Sequence, residues 1–231
     1  MAACVELIIG PMFAGKTTEL LRRARALAAI GQRVVFVAHA SDALRYQSPE
    51  LSSAIDAAVR THARDEQRGA NVHYASRLAD VDHLVAHADV VAVDEVQFFS
   101  DLESFVLRHE SRRGLTILLS GLDGDAERRA FGQTLSIIPL CDDVVKLRAF
   151  DSVKRDGSRA SFSMRLTEHA GASCVRVGGS DLYAAVGRDT YLRNLQNLNS
   201  ALTASSSPSS SHGAVAASAT EIDSACALQS A

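Results

Sequence analysis

The chain has 231 residues, 47% of them hydrophobic, and a formal net charge of −3, which suits one α/β domain with a full core plus a small appendage. Its basic residues are scattered, which argues against a nucleic-acid partner, and no apolar run is long enough to cross a bilayer, which argues against a membrane one. Cys4, Cys141, Cys174 and Cys226 lie far apart without a C-x-x-C pair, and no leader segment is read at the N-terminus; a disulfide framework and a cysteine zinc site are disfavoured, and a cytoplasmic setting is expected.

The first predicted element is the strand Val5-Glu6-Leu7-Ile8-Ile9. It runs into Gly10-Pro11-Met12-Phe13-Ala14-Gly15-Lys16-Thr17-Thr18, which fits G-x-x-x-x-G-K-[ST] between an apolar strand and an amphipathic helix. Glycines at both ends let the loop curl until successive N–H groups face one point, and the helix start adds its partial positive charge there. Lys16 has the reach for β- and γ-phosphates, and the Thr17 hydroxyl suits Mg²⁺. The pattern implies binding of a nucleoside triphosphate. In the helix, Leu20, Leu21, Ala24, Leu27, Ala28 and Ile30 recur at helical spacing and Gly31 closes it.

Residues 33–38 read as a buried strand, 41–71 as a long polar connection with some helix near 51–59, 72–75 as a weak strand and 78–87 as helical. Val90-Val91-Ala92-Val93-Asp94-Glu95 has the form of a Walker B strand, four apolar residues ending in acid. In a P-loop fold this strand is expected beside the first, carrying Asp94 to Thr17 and the metal. Glu95 is expected to face an acceptor, where a carboxylate can take a proton from a hydroxyl or water. A helix over 102–113 and strands over 115–119 and 144–147 complete an expected parallel sheet covered by helices on both faces. Residues 160–166 and 174–177 look like antiparallel strands around a Gly171 turn, and the chain beyond Asn199 is rich in Ser and Ala. The expected organisation is a nucleotide-binding domain over 1–148, a small β-rich lobe over 149–195 and a disordered tail over 196–231. Up to this point a kinase with a small acceptor and an NTPase that uses hydrolysis mechanically both fit.

The loop Gly10-Pro11-Met12-Phe13-Ala14-Gly15-Lys16-Thr17-Thr18-Glu19-Leu20 and the block Asp94-Glu95-Val96-Gln97-Phe98-Phe99 resemble those of the cytosolic (type II) thymidine kinases. Leu122-Asp123-Gly124 with Phe131-Gly132 is similar to that family's L-D-G…F-G segment, and Val177-Gly178-Gly179-Ser180-Asp181-Leu182-Tyr183 to its lasso, a loop that closes over the base. The resemblance runs with gaps from about Glu6 to Tyr191. It implies a P-loop NTPase-like α/β fold with a lasso lobe, transfer of the ATP γ-phosphoryl to the 5′-hydroxyl of thymidine for DNA precursor synthesis, and a homotetramer. Glu95 would be the general base. ATP would lie on the loop, on Asp94, Glu95, Val96 and Gln97, and near Arg45, which with Asp42 and Tyr46 resembles the family's D-x-R-Y element with one extra residue. Mg²⁺ would fall to Thr17 and Asp94. The nucleoside pocket would take Met12, Phe98, Leu122, Phe131, Val177, Gly178, Gly179 and Tyr183; plain core remains the other reading of Phe98 and Leu122.

Two departures from the family stand out. An aromatic residue that commonly stacks on the base two positions after the L-D-G glycine is here Ala126. The four positions of the family's structural zinc carry Asp151, Lys154, Gly187 and Thr190, which lack the thiolates and imidazoles of a closed zinc site, so no zinc is expected. The alternatives these departures leave open are a non-catalytic nucleotide-binding paralogue and a kinase with a shifted nucleoside preference.

Overall fold

The strands of the main sheet hold their place chiefly by burying apolar residues, most completely in its central members. In the computed structural model, which describes residues 2–43, 49–59, 72–166 and 182–205, they are β1 (Cys4–Ile9), β2 (Val34–His39), β3 (Val72–Ala75), β4 (Val90–Val93) and β5 (Thr116–Gly121), with a more exposed β6 (Asp143–Lys146) at one edge. The order is β3-β2-β4-β5-β1-β6 and every pairing is parallel. Alternate residues serve opposite layers. Ile8, Phe36, Ala92 and Leu118 pack with Leu20, Leu21, Ala24 and Ala28 of α1 (Lys16–Ala29) and Ile55 of α2 (Pro49–Val59). Leu7, Val37, Val91, Val93, Ile117 and Leu119 pack on the other side with Phe99 and with Phe105 and Val106, the last two from a helix at Leu102–His109.

That sheet differs from the expected one in a single respect that matters to chemistry. β4 does not lie beside β1; β5 stands between them, paired with both. The helical reading of 78–87 corresponds to a 3₁₀ segment at Leu78–Val81 that runs straight into one α-turn, α3 (Asp82–Val85). The buried carboxylate of Asp101, just before α4 (Leu102–His109), accepts the N–H groups of Leu78 and Ala79, both at 3.0 Å, and so caps the start of this segment, where the first N–H groups have no partner within the helix.

The β-rich part beyond Arg148 consists of two small antiparallel pairs. β7 (Ala149–Phe150) pairs with β8 (Arg159–Ala160), and β9 (Phe162–Arg165) pairs with β10 (Tyr183–Val186). The partner of β9 is thus the run from Tyr183, whose four residues are all buried; the strand expected at 174–177 and its Gly171 turn lie outside the described residues. Residues 1–194 cluster as one compact unit and 195–231 as a second. α5 runs Arg188–Ser205, where Leu and Ala at 195, 198, 201 and 202 favour helix.

Asp151 knots the small pairs together. Its Oδ1 accepts the N–H groups of Val153 (3.0 Å) and Lys154 (2.9 Å), and its Oδ2 accepts Gly187 N–H (2.8 Å) and the Thr190 hydroxyl (2.7 Å). The four positions that resemblance assigns to zinc therefore do converge, but on a carboxylate. Lys154, Gly187 and Thr190 offer donors and no metal-binding thiolate or imidazole, so this constellation does not fit a structural zinc. Burial alone would raise the Asp151 pKa, yet the four donors outweigh it and hold the carboxyl below its ordinary value. A depressed folded-state pKa contributes stability that is complete above the unfolded aspartate value of ~3.9 and fades as pH falls through the folded one. Asp151→Asn is expected to cost about 2–3 kcal/mol at pH 7. In urea melts, the gap from the natural protein should narrow below about pH 4; a gap of constant size would contradict the charged knot.

Candidate active site

The loop between β1 and α1 takes its form from two glycines. Gly10 sits at φ 145°, and a Cβ there would meet the Leu147 carbonyl oxygen at 2.5 Å, so the loop leaves the sheet along a path open only to glycine. Gly15, at φ 82°, turns the chain into the first turn of α1. Lys16 is buried, its ammonium donating to the Pro11 carbonyl oxygen at 2.9 Å across the loop. The loop is also held from the β-rich part: Met12 N–H donates to Ser163 Oγ at 3.0 Å, and Ala14 packs on Ala149, Ala160 and Ala185. Phe13, at φ 62°, is half exposed.

Asp94 meets this loop although a strand separates β4 from β1. The Thr17 hydroxyl donates to Asp94 Oδ2 at 2.6 Å. The intervening β5 adds a second donor, since Ser120, fully buried, donates its hydroxyl to Asp94 Oδ1, which also accepts Glu95 N–H at 3.0 Å. Asp94 is 1% exposed, and a carboxylate so buried persists only with such partners. Because the Thr17 proton is directed at Asp94, the hydroxyl lone pairs remain for a cation. A hydroxyl and a carboxylate at a helix N-terminus fit Mg²⁺, which takes few protein ligands and completes its shell with water and phosphate. Among the described residues no cluster of three or more His, Cys, Asp or Glu side chains suits a metal held by protein alone.

Glu95 follows in the left-handed region, at φ 55° and ψ 44°. For a residue with a side chain this costs on the order of 1 kcal/mol, and such strain is common at functional sites. The turn reverses the chain into a 3₁₀ segment at Val96–Phe98, with Phe98 N–H bonded to the Glu95 carbonyl oxygen at 3.1 Å. Gln97, expected against ATP, points elsewhere: it is 4% exposed, its Nε2 donates to Glu95 Oε2 at 2.6 Å and its Oε1 accepts Leu122 N–H at 2.9 Å. Val96 is fully buried in the core and offers the nucleotide no side chain.

On the nucleoside side, Phe98 and Phe131 meet edge to face at 5.6 Å, and Phe98 also tilts against His39 at 5.5 Å. Phe98 is therefore neither wholly core nor free. Leu122 begins the segment after β5, and its neighbour Asp123 forms an ion pair with Lys146 at the end of β6. Tyr183 lies buried in β10 opposite Arg165. At Ala126 the carbonyl oxygen accepts the Tyr191 hydroxyl at 2.7 Å, and Arg128 lies over the Tyr191 ring at 4.2 Å. Arg45, Tyr46, Val177, Gly178 and Gly179 lie outside the described residues. Sequence reasoning missed Ser120 and Ser163. Ser120 had a signal, a hydroxyl inside the otherwise aliphatic run of β5; Ser163, in a mixed strand, had none.

A family model described as thymidine kinase matches residues 3–191. The chain is 37% identical over 190 residues to a thymidine kinase of Oryza sativa subsp. japonica, covering 81% of this chain and 66% of the rice protein. It is 34% identical over 188 residues to a thymidine kinase of vaccinia virus, covering 81% of this chain and 96% of the viral one. It is 33% identical over 189 residues to the cytosolic thymidine kinase of Gallus gallus, covering 82% and 77%. With the phosphate loop, its acid partner and the adjoining glutamate gathered at one end of the parallel sheet, this chain belongs to the thymidine kinase family.

Proposed function

We propose that the protein is an ATP-dependent kinase that phosphorylates the 5′-hydroxyl of thymidine. The observation that carries this reading is the 2.6 Å hydrogen bond from Thr17 to Asp94, which joins the phosphate loop to the acid of β4 with Glu95 next in the chain. The loop N–H groups and Lys16 seat the triphosphate. Thr17 and Asp94 would hold Mg²⁺, which would supply charge neutralisation on the phosphates when bound. Glu95 takes the proton of the nucleoside 5′-hydroxyl as its oxygen bonds to the γ-phosphorus; the bond to the β,γ-bridging oxygen breaks, and ADP leaves with that electron pair. Thymidine 5′-phosphate is the product, a DNA precursor.

Several finer points belong to the same proposal: a cytoplasmic setting, a homotetramer, Arg45 near the donor, a lasso of Val177, Gly178 and Gly179 over the base, and a lobe boundary near residue 148. The similarity to cytosolic relatives supports the first, and no described helix is long and apolar enough to cross a membrane. Family resemblance supports the others.

Glu95→Gln is expected to lower kcat by about 10²–10⁴-fold while ATP binding, followed by fluorescent-nucleotide titration, holds within about threefold. Undiminished transfer from ATP to thymidine would remove Glu95 from the mechanism. Ala126 generates a second expectation. Restoring a ring there by Ala126→Phe is expected to lower KM for thymidine about fivefold or more, on the scale of 1–3 kcal/mol for stacking on a base. An unchanged KM would place the nucleoside away from this segment.

A further inference from the structure

Gln97 is among the most enclosed polar side chains near the site, and its surroundings are built around it. Leu122 N–H can only donate, so the oxygen of the Gln97 amide must face it and the amide nitrogen must face Glu95. The orientation of this side chain is thereby fixed by backbone and not by a neighbour that could flip. Two glycines make room for it. A Cβ at Gly121 would come within 2.7 Å of Gln97 Oε1, and a Cβ at Gly132 would stand 2.2 Å from the Gln97 carbonyl oxygen. β5, the segment after it and the turn at Gly132 therefore close on Gln97 from separate parts of the chain.

We propose that Gln97 is a positioning residue for the phosphoryl transfer: its amide bridges Leu122 N–H and Glu95 Oε2, pinning one carboxylate oxygen so that the other is turned to the acceptor hydroxyl. The inference rests on Glu95 as the base. A carboxylate on a strained turn has several rotatable bonds, and a hydrogen bond at 2.6 Å to an enclosed amide narrows its aim. Because the other end of the bridge is the backbone of Leu122, the base is tied to the segment that carries Asp123 and Ala126. A shift of that segment on nucleoside binding would move the base with it.

The test uses the full chain and two variants. Gln97→Glu keeps an oxygen for Leu122 N–H but opposes Glu95 with a second carboxylate, and the two must share a proton. The acid limb of its kcat/KM profile for thymidine is expected to rise by about one pH unit or more. Gln97→Met fills the same space without the donor and is expected to lose about tenfold in kcat, with KM for ATP within about twofold. A wild-type acid limb in Gln97→Glu would overturn the proposal. So would a Gln97→Met variant whose kcat is unchanged, or whose kcat loss comes with a matching loss of thermal stability and no shift of its pH profile. Glu95→Gln run alongside separates the two readings: retained turnover there removes the base and the tether together, whereas lost turnover with an unmoved Gln97→Glu profile removes only the tether.

Discussion

The carboxylate of Asp94 is the point on which the site turns. It is nearly fully buried and accepts hydrogen bonds from α1, from β5 and from the backbone of its own successor. An ion in that position is tolerable only because each of these donors is in place. In return it fixes the first turn of the phosphate-loop helix against the sheet. Gly10 and Gly15 shape the loop, but the contact between Thr17 and Asp94 sets where the loop lies with respect to the acidic strand end. The strained turn at Glu95 begins one residue later, so the aim of the glutamate is inherited from the same anchor.

β5 gives the arrangement its particular character. It stands between the phosphate-loop strand and the acidic strand, whose ends meet directly through Thr17 and Asp94; Ser120 adds a donor to that carboxylate, and Gly121 and Leu122, the next two residues, receive Gln97. Three consecutive positions at one strand end thus touch both acids of the site, directly or through one side chain. The β-rich part adds an independent hold through Ser163 and the alanine contacts of Ala14, so the loop is supported from the sheet below and from the small strands beside it.

Much of this was legible in the chain itself. The aliphatic strands, the glycine loop and the paired acids are local patterns, and burial on both sheet faces enforces them. Strand order was not legible, because periodicity reports which residues are buried and not which strand is neighbour to which; hence the misplaced adjacency of β4 and β1. The resemblance of the block from Asp94 to Phe99 implies a place at the nucleotide for Gln97, and only a tertiary contact with Leu122 shows where its amide goes.

The Asp151 knot joins segments more than thirty residues apart through a carboxylate, backbone amides and one hydroxyl. Thiolate and imidazole clasps answer to redox poise and to competing chelators. A clasp made of a carboxylate and amide protons answers to neither: peroxide has no sulfur in it to attack, and a scavenger of divalent ions finds nothing in it to withdraw.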